Sequence, residues 1–145
     1  MKKLKIACLV LVLAGLFQSC QNVENQEQEI LKKEIFVIHD DVMPKTSDIN
    51  RLQRKIRSAS KKKAPLAPAD QQKVNEVMAQ LEKAHDGMMV WMNNFKSPAK
   101  LRSSRSHEEI MQYLQGEKSA IERVRDDMLN SIESGAALLS DLEKK

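Results

Sequence analysis

The sequence has little glycine, cysteine or aromatic character, and each shortage excludes a class of protein. Its 145 residues include 4 Gly and 2 Cys, and 3% of them are aromatic. So little glycine disfavours a phosphate-binding loop or a β-sandwich with many turns. Two cysteines cannot build a disulfide framework or a four-cysteine zinc site. With 30% charged residues, the composition predicts one small helical domain.

The motifs of common enzyme families are also missing. The chain contains no GxGxxG, GxxxxGK[ST], HExxH or GxSxG sequence and no pair of CxxC motifs. It offers no nucleophile beside a base and no convincing pair of carboxylates for acid–base chemistry. The sequence therefore predicts a protein that is not an enzyme and that carries no cofactor.

The N-terminus has the pattern of a secretory signal. Three lysines within the first five residues precede an apolar run of 12 residues, positions 6–17. This run is shorter than the roughly 20 residues that a helix needs to cross a bilayer, so a permanent transmembrane helix is not expected. Residues 1–19 are predicted to be a signal peptide.

The end of this signal resembles the lipobox of bacterial lipoproteins. Ser19 is a small residue directly before Cys20, although Phe17 and Gln18 depart from the commonest lipobox. The resemblance implies that Cys20 becomes the lipidated first residue of the mature protein and attaches it to the membrane. The alternative is an ordinary secreted protein that is cleaved near Ser19 and keeps a free thiol.

Removal of the signal changes the charge of the protein. It takes away three lysines and no acid, which lowers the formal net charge from +4 to +1. The basic character of the full sequence is therefore no sign of nucleic-acid binding, and an envelope location also argues against a nucleic-acid partner. The sequence predicts a membrane-anchored protein without a nucleic-acid partner.

Apolar residues recur at intervals of three and four in the first part of the mature chain, which is typical of an amphipathic helix. The repeat covers about residues 25–60 and keeps its phase across Pro44. Proline removes a backbone donor and clashes with the carbonyl four residues earlier, so a kink or break is expected near residues 40–44. The unchanged phase favours one kinked helix over two helices.

Two further helices are predicted beyond a loop that contains Pro65 and Pro68. The second covers residues 70–96, with Asp70 as its N-cap and Gly87 as a point of close approach to a neighbouring helix. The third covers residues 107–142 and begins with a capping box of Ser106 and Glu109.

These helices predict an all-α fold. Short loops force neighbours to be antiparallel, which gives an up-down-up three-helix bundle with elongated, coiled-coil-like helices and a kink at Pro44. The predicted organisation is a signal peptide at 1–19, a lipidated cysteine with a short tether at 20–28, and the bundle at 29–145. In this arrangement His39 should lie level with about Trp91.

Each of the three histidines is followed by an acid and, four residues on, by a methionine. The pairs are His39 with Met43, His85 with Met89, and His107 with Met111. Residues four apart share a helix face, so each pair offers nitrogen and sulfur ligands that suit copper. The candidate metal site comprises His39, Met43, His107 and Met111, with the third pair as a separate site. The alternative is structural, because methionine commonly fills irregular helical cores.

The segment from Arg51 to Lys63 is strongly basic. It contains seven Lys and Arg residues, and no acid occurs among residues 51–69. One explanation is the preference for cations at a helix C-terminus, together with solubility. The alternative is a surface for an anionic partner, such as a polysaccharide or an acidic protein.

Two segments of the chain resemble a group of small lipoproteins of unassigned function from Bacteroidetes-type bacteria. They are HDDVMPK-x-x-D-I-x-x-L at 39–52 and AHDGMMVWMNNF at 84–95. Some members of the group carry the label viral A-type inclusion protein. The resemblance covers about two thirds of the mature chain and implies an outer-membrane lipoprotein with a helical domain and no reaction. Gln21 after the cysteine fits transfer to the outer membrane, with the domain facing either the periplasm or the exterior.

The leading hypothesis from the sequence is a non-catalytic helical module of the cell envelope, anchored through Cys20. Its amphipathic helices would bind another envelope protein or a second copy of the chain. The alternative is a periplasmic protein that binds a soft metal, copper, through the His/Met pairs.

Overall fold

The computed structural model describes the backbone of residues 2–63 and 65–144, and the side chains of these residues from Asn22 onward. Its elements are α1 (Lys2–Val42), a 3₁₀ turn (Met43–Lys45), α2 (Thr46–Lys62), α3 (Pro68–Asn94), α4 (Pro98–Leu101) and α5 (His107–Lys144). No strand occurs in this part of the chain, and the predicted all-α class is confirmed.

The anchor predicted from the sequence falls at the N-terminal end of α1. The side chains of the signal peptide at 1–19 and of Cys20 lie outside the described residues. In the part of the chain whose side chains are described, no helix is long and apolar enough to span a membrane.

The contacts divide the chain into two compact units. The first unit contains the residues up to Glu34 together with Lys96–Gly116, and the second contains Ile35–Phe95 together with the residues from Glu117 onward.

The core of the second unit follows a seven-residue repeat that continues across Pro44. Ile35, Val42, Ile49 and Ile56 are each 0% exposed, so the stripe keeps its phase as predicted. The structure ends α1 at Val42 and begins α2 at Thr46, and the bend angle expected there stays a prediction. The hydroxyl of Thr46 donates to the carbonyl of Met43 at 2.8 Å, which satisfies one acceptor beside the proline.

The buried faces of α3 and α5 in this unit repeat in a similar way. The residues buried on α3 are Val74, Val77, Leu81, Ala84, Met88 and Trp91. Those buried on α5 beyond Gly116 are Ile121, Met128, Ser131, Gly135, Leu138 and Leu142. The small Ser131 and Gly135 therefore belong to the buried stripe. The Ser131 hydroxyl donates to the carbonyl of Met128 at 2.9 Å, so the buried hydroxyl is satisfied within its own helix.

The start of α3 differs from the prediction. The helix begins at Pro68, its N-cap is Ala67 without a side-chain hydrogen bond, and Asp70 lies in the first turn. Proline suits a first helical position because the N–H that it lacks would have no partner there. The assignment of Asp70 as N-cap was wrong for this reason.

The glycine at which helices approach closely is Gly135, and the prediction for Gly87 was wrong. A Cβ built on Gly87 would meet only Val124, at 4.0 Å, which is an ordinary contact. A Cβ on Gly135 would lie 3.2 Å from a methyl of Leu52 and 3.3 Å from a methyl of Leu81. The absence of a side chain at Gly135 lets these two leucines meet α5.

The first unit has a small core next to the loop between α3 and α5. Pro98, Leu101, Ile110 and Leu114 are buried there. The loop contains the short helix α4, which the sequence pattern missed. The predicted capping box at the start of α5 is confirmed: the backbone N–H of Ser106 donates to a carboxylate oxygen of Glu109 at 2.8 Å, and the N–H of Glu109 donates to the Ser106 hydroxyl at 3.3 Å.

Candidate functional site

His39, the first of the predicted metal ligands, belongs to an aromatic cluster in the second unit. Its ring centroid lies 5.6 Å from that of Phe36 and 5.6 Å from that of Trp91. The predicted proximity of His39 and Trp91 is therefore confirmed. The Nδ1 atom of His39 lies 2.8 Å from a carboxylate oxygen of Asp40. One ring nitrogen of His39 therefore has a partner that is not part of the aromatic cluster.

The aromatic cluster comprises Phe36, His39, Trp91 and Phe95. Phe36 and Phe95 meet edge to face at 5.2 Å, and Trp91 and Phe95 are 5.3 Å apart. Such pairs contribute about 0.5–1.5 kcal/mol each beyond the area that they bury. Trp91 is 6% exposed, and its indole N–H has no hydrogen-bond partner among the described residues. The cluster is a packing layer between α1 and α3, with one buried donor unsatisfied.

His107, the second predicted metal ligand, takes part in a polar network in the first unit. Its Nδ1 atom lies 3.2 Å from the amide nitrogen of Gln28, and its Nε2 atom lies 3.3 Å from a carboxylate oxygen of Glu27. The Gln28 side chain is only 2% exposed, and its amide oxygen accepts a hydrogen bond of 2.8 Å from Arg102 Nε.

The donors of this network indicate which nitrogen of His107 accepts a hydrogen bond. Arg102 can only donate, so the oxygen of Gln28 must face it and the NH₂ group must face His107. His107 Nδ1 is then an acceptor, and Nε2 faces Glu27. Both nitrogens of the imidazole are therefore already partnered.

Arg102 extends the network along α1. Its guanidinium also donates to a carboxylate oxygen of Glu29 at 3.0 Å and to the backbone carbonyl of Asn25 at 3.4 Å. Hydrogen bonds from Lys32 and from Arg102 hold the pKa of Glu29 below its usual value, partly opposed by burial. These contacts fasten residues 25–29 to the end of α4. We call Asn25, Glu27, Gln28, Glu29, Arg102 and His107 the Gln28 network.

No local pattern in the sequence indicates the Gln28 network, because Gln28 and Arg102 are 74 positions apart. A second contact in the first unit was missed for the same reason. The backbone N–H of Lys96 donates to the Tyr113 hydroxyl at 2.7 Å, and Arg105 lies 5.6 Å above the Tyr113 ring. Both contacts hold the loop around α4 against α5.

The predicted metal ligands are distributed over both units. His39 and Met43 belong to the second unit, and His107 and Met111 belong to the first. His85, the remaining histidine, has Nδ1 at 3.4 Å from a carboxylate oxygen of Asp86. Among the described side chains, no group of three or more His, Cys, Asp and Glu is placed to hold a metal ion.

The copper site at His39, Met43, His107 and Met111 stays a prediction. Calorimetry with Cu(I) under reducing conditions tests it, with a His39→Ala/His107→Ala variant for comparison. Binding by the unchanged protein and loss of binding in the variant would support the site.

No family model, curated protein or solved structure matches this chain.

Proposed function

We propose that this protein is a non-catalytic, lipid-anchored interaction module of the cell envelope. The lipobox-like end of the signal supports attachment through Cys20, and Gln21 supports an outer-membrane location. The resemblance to small envelope lipoproteins supports the same reading. Replacement of Cys20 by serine should release the protein from the membrane fraction, and unchanged sedimentation with membranes would contradict the anchor.

We further propose that its helices form an up-down-up bundle kinked at Pro44. Contacts within the second unit support this arrangement. Lys73 and Asp141 lie 3.0 Å apart, and Gly87 faces Val124, so residue numbers on α3 and α5 run in opposite directions.

The observation that carries the interaction role is an exposed apolar stripe on α1. Val23, Ile30 and Val37 are 54%, 52% and 62% exposed and lie at intervals of seven. Residues at this interval share one helix face. Val37 is about 200° round the helix from the buried Ile35, so the stripe is distinct from the face that packs in the core. Such a stripe suits a helix from a partner protein or from a second copy of the chain.

Photo-crosslinking in the native envelope tests this role. A photoreactive phenylalanine analogue would replace Ile30 or Val37 in separate variants. The matched control replaces Glu24, which is exposed and polar and lies about 100° round α1 from Val23. The proposal expects a defined adduct from the two stripe positions and none from Glu24. Equal adducts from all three positions, or no adduct from any, would contradict it.

A further inference from the structure

The solvent-facing side of α2 is a continuous cationic surface. Its exposed basic residues are Arg51, Arg54, Lys55, Arg57, Lys61 and Lys62. We call this set the α2 cationic face. The side chains between them on the same side are polar, and Ile49 and Ile56 on the opposite side are 0% exposed. At 100° per residue the six cations cover an arc of about 160°, with Ser58 near its centre.

Helix stability does not explain this face. The favourable interaction of cations with a helix C-terminus is confined to the last turn, which accounts for Lys61 and Lys62. Arg51, Arg54 and Lys55 lie about two turns or more before Lys62. They also stand three or four residues from other cations, a spacing at which like charges destabilise a helix.

The face is not neutralised by the protein's own acids. Arg51 pairs with Asp48 at 2.6 Å. In the described part of the chain, no carboxylate forms an ion pair with the other five cations. Each of these five charges is therefore available to a partner.

A cavity at the C-terminal end of the face adds a concave site. It has a volume of about 390 Å³, and its lining includes Lys55, Ser58, Lys62 and Lys63 together with Leu142 and Glu143. Three ammonium groups and one hydroxyl group can bind an oxyanion there, and they outnumber the single carboxylate.

We propose that the α2 cationic face binds a linear anionic polysaccharide. A protein partner is disfavoured because no large apolar side chain is exposed between residues 50 and 63, whereas protein interfaces have an apolar core depleted of lysine. Insertion of α2 into a membrane is disfavoured because its apolar face is already buried. A flat headgroup surface reaches only part of a 160° arc, but a flexible chain of carboxylate, sulfate or phosphate groups can follow all of it.

The test measures binding of the full-length protein, in a mild neutral detergent, to heparin as the probe polysaccharide. One variant neutralises four residues of the face while keeping the Arg51–Asp48 pair: Arg54→Gln, Lys55→Gln, Arg57→Gln and Lys62→Gln. The control variant neutralises four exposed cations elsewhere: Lys33→Gln, Lys83→Gln, Lys100→Gln and Arg123→Gln. Both variants have the same net charge, and glutamine has a helix propensity close to that of Lys and Arg.

The expected result is that the α2 variant binds heparin about 100-fold or more weakly at low salt, while the control stays within a few fold of the unchanged protein. The slope of log affinity against log salt concentration should become shallower by about 3 in the α2 variant. This follows from a slope of about 0.7 for each of the four ionic contacts that the variant removes. Circular dichroism verifies that both variants remain helical.

Three outcomes would overturn the proposal. The first is an equal loss in both variants, which would make net charge the cause. The second is no measurable binding of heparin by the unchanged protein. The third concerns competition for the bound heparin. If anionic vesicles displace it at a lower concentration of charge than free heparin does, and neutral vesicles do not displace it, the partner is a membrane surface.

Discussion

Substitution of the glycines probes the helix packing, because each glycine has a different neighbourhood. Gly135 lies where an added methyl group would meet three leucine methyls at 3.2–3.4 Å, from Leu52 and Leu81. Gly116 has nothing within 4 Å of an added methyl. Gly135→Ala is therefore the perturbation and Gly116→Ala is its matched control.

The expected free energies follow from two opposing effects. Alanine is more favourable than glycine inside a helix by about 0.5–1 kcal/mol, and both variants gain this. An added methyl in a well-packed core costs about 1–3 kcal/mol, and only Gly135→Ala incurs this cost. Leu81 is 0% exposed and cannot move into solvent. We expect Gly116→Ala to stabilise the protein by up to about 1 kcal/mol and Gly135→Ala to destabilise it by about 0–2 kcal/mol.

Urea titration followed by circular dichroism measures both changes. An unchanged m-value would show that the free energy of unfolding, rather than the compactness of either state, has changed. Leu52→Ala should remove part of the penalty at Gly135, because it takes away the closest methyl. Equal stabilisation by Gly135→Ala and Gly116→Ala would refute the close approach of Leu52 and Leu81 to α5.

Substitutions at three further positions test the packing, the capping and the polar contacts. Trp91→Ala should cost about 3–5 kcal/mol as a large core truncation, and a loss below about 1 kcal/mol in urea would show that Trp91 is peripheral. Trp91→Phe should cost less, because the indole N–H has no acceptor to lose. Ser106→Ala should cost about 1 kcal/mol through loss of the capping box, measured in the same titration. Glu29 has a folded pKa below 4.5, so its contribution is present above pH 4.5 and is lost as the pH falls through the folded pKa. Glu29→Gln should therefore reduce the fall in stability below pH 4.5, and an unchanged acid profile would contradict the role of its Lys32 and Arg102 contacts.

The repeating parts of the fold could be predicted because they depend on local spacing. Ile35, Val42, Ile49 and Ile56 have the interval that places them on one helix face, and all four are 0% exposed. Ser106 and Glu109 have the spacing of a capping box, and both of its hydrogen bonds are present. Such features follow from residues that are close in sequence, so one sequence suffices to identify them.

The contacts that the sequence did not predict depend on residues far apart in the chain. Gln28 stands among glutamates in a polar stretch for which the sequence predicts a tether. It is nevertheless 2% exposed, and Arg102 and His107 supply the hydrogen bonds that its buried amide needs. Gly87 was misjudged for a related reason. Composition cannot distinguish Gly87 from Gly135, since only the packing of Leu52 and Leu81 makes one of them a close contact.

The candidate metal ligands illustrate the same limit. The recurring His-acid-x-x-Met pattern is visible in the sequence, but the neighbours of each imidazole are not. The structure places His39 against Phe36 and Trp91, and it gives His107 partners at both nitrogens. A metal ion would have to displace Gln28 or Glu27 to reach the His107 ring.

The proposed function depends on the exposed apolar stripe on α1, and chemical crosslinking of native envelopes shows whether a partner binds there. The comparison is between the unchanged protein and an Ile30→Gln/Val37→Gln variant, in which glutamine keeps the helix propensity. We expect one crosslinked species of defined mass that disappears in the variant, while the variant stays in the membrane fraction and remains helical. Persistence of that species in the variant, or its absence in the unchanged protein, would contradict an interaction through α1.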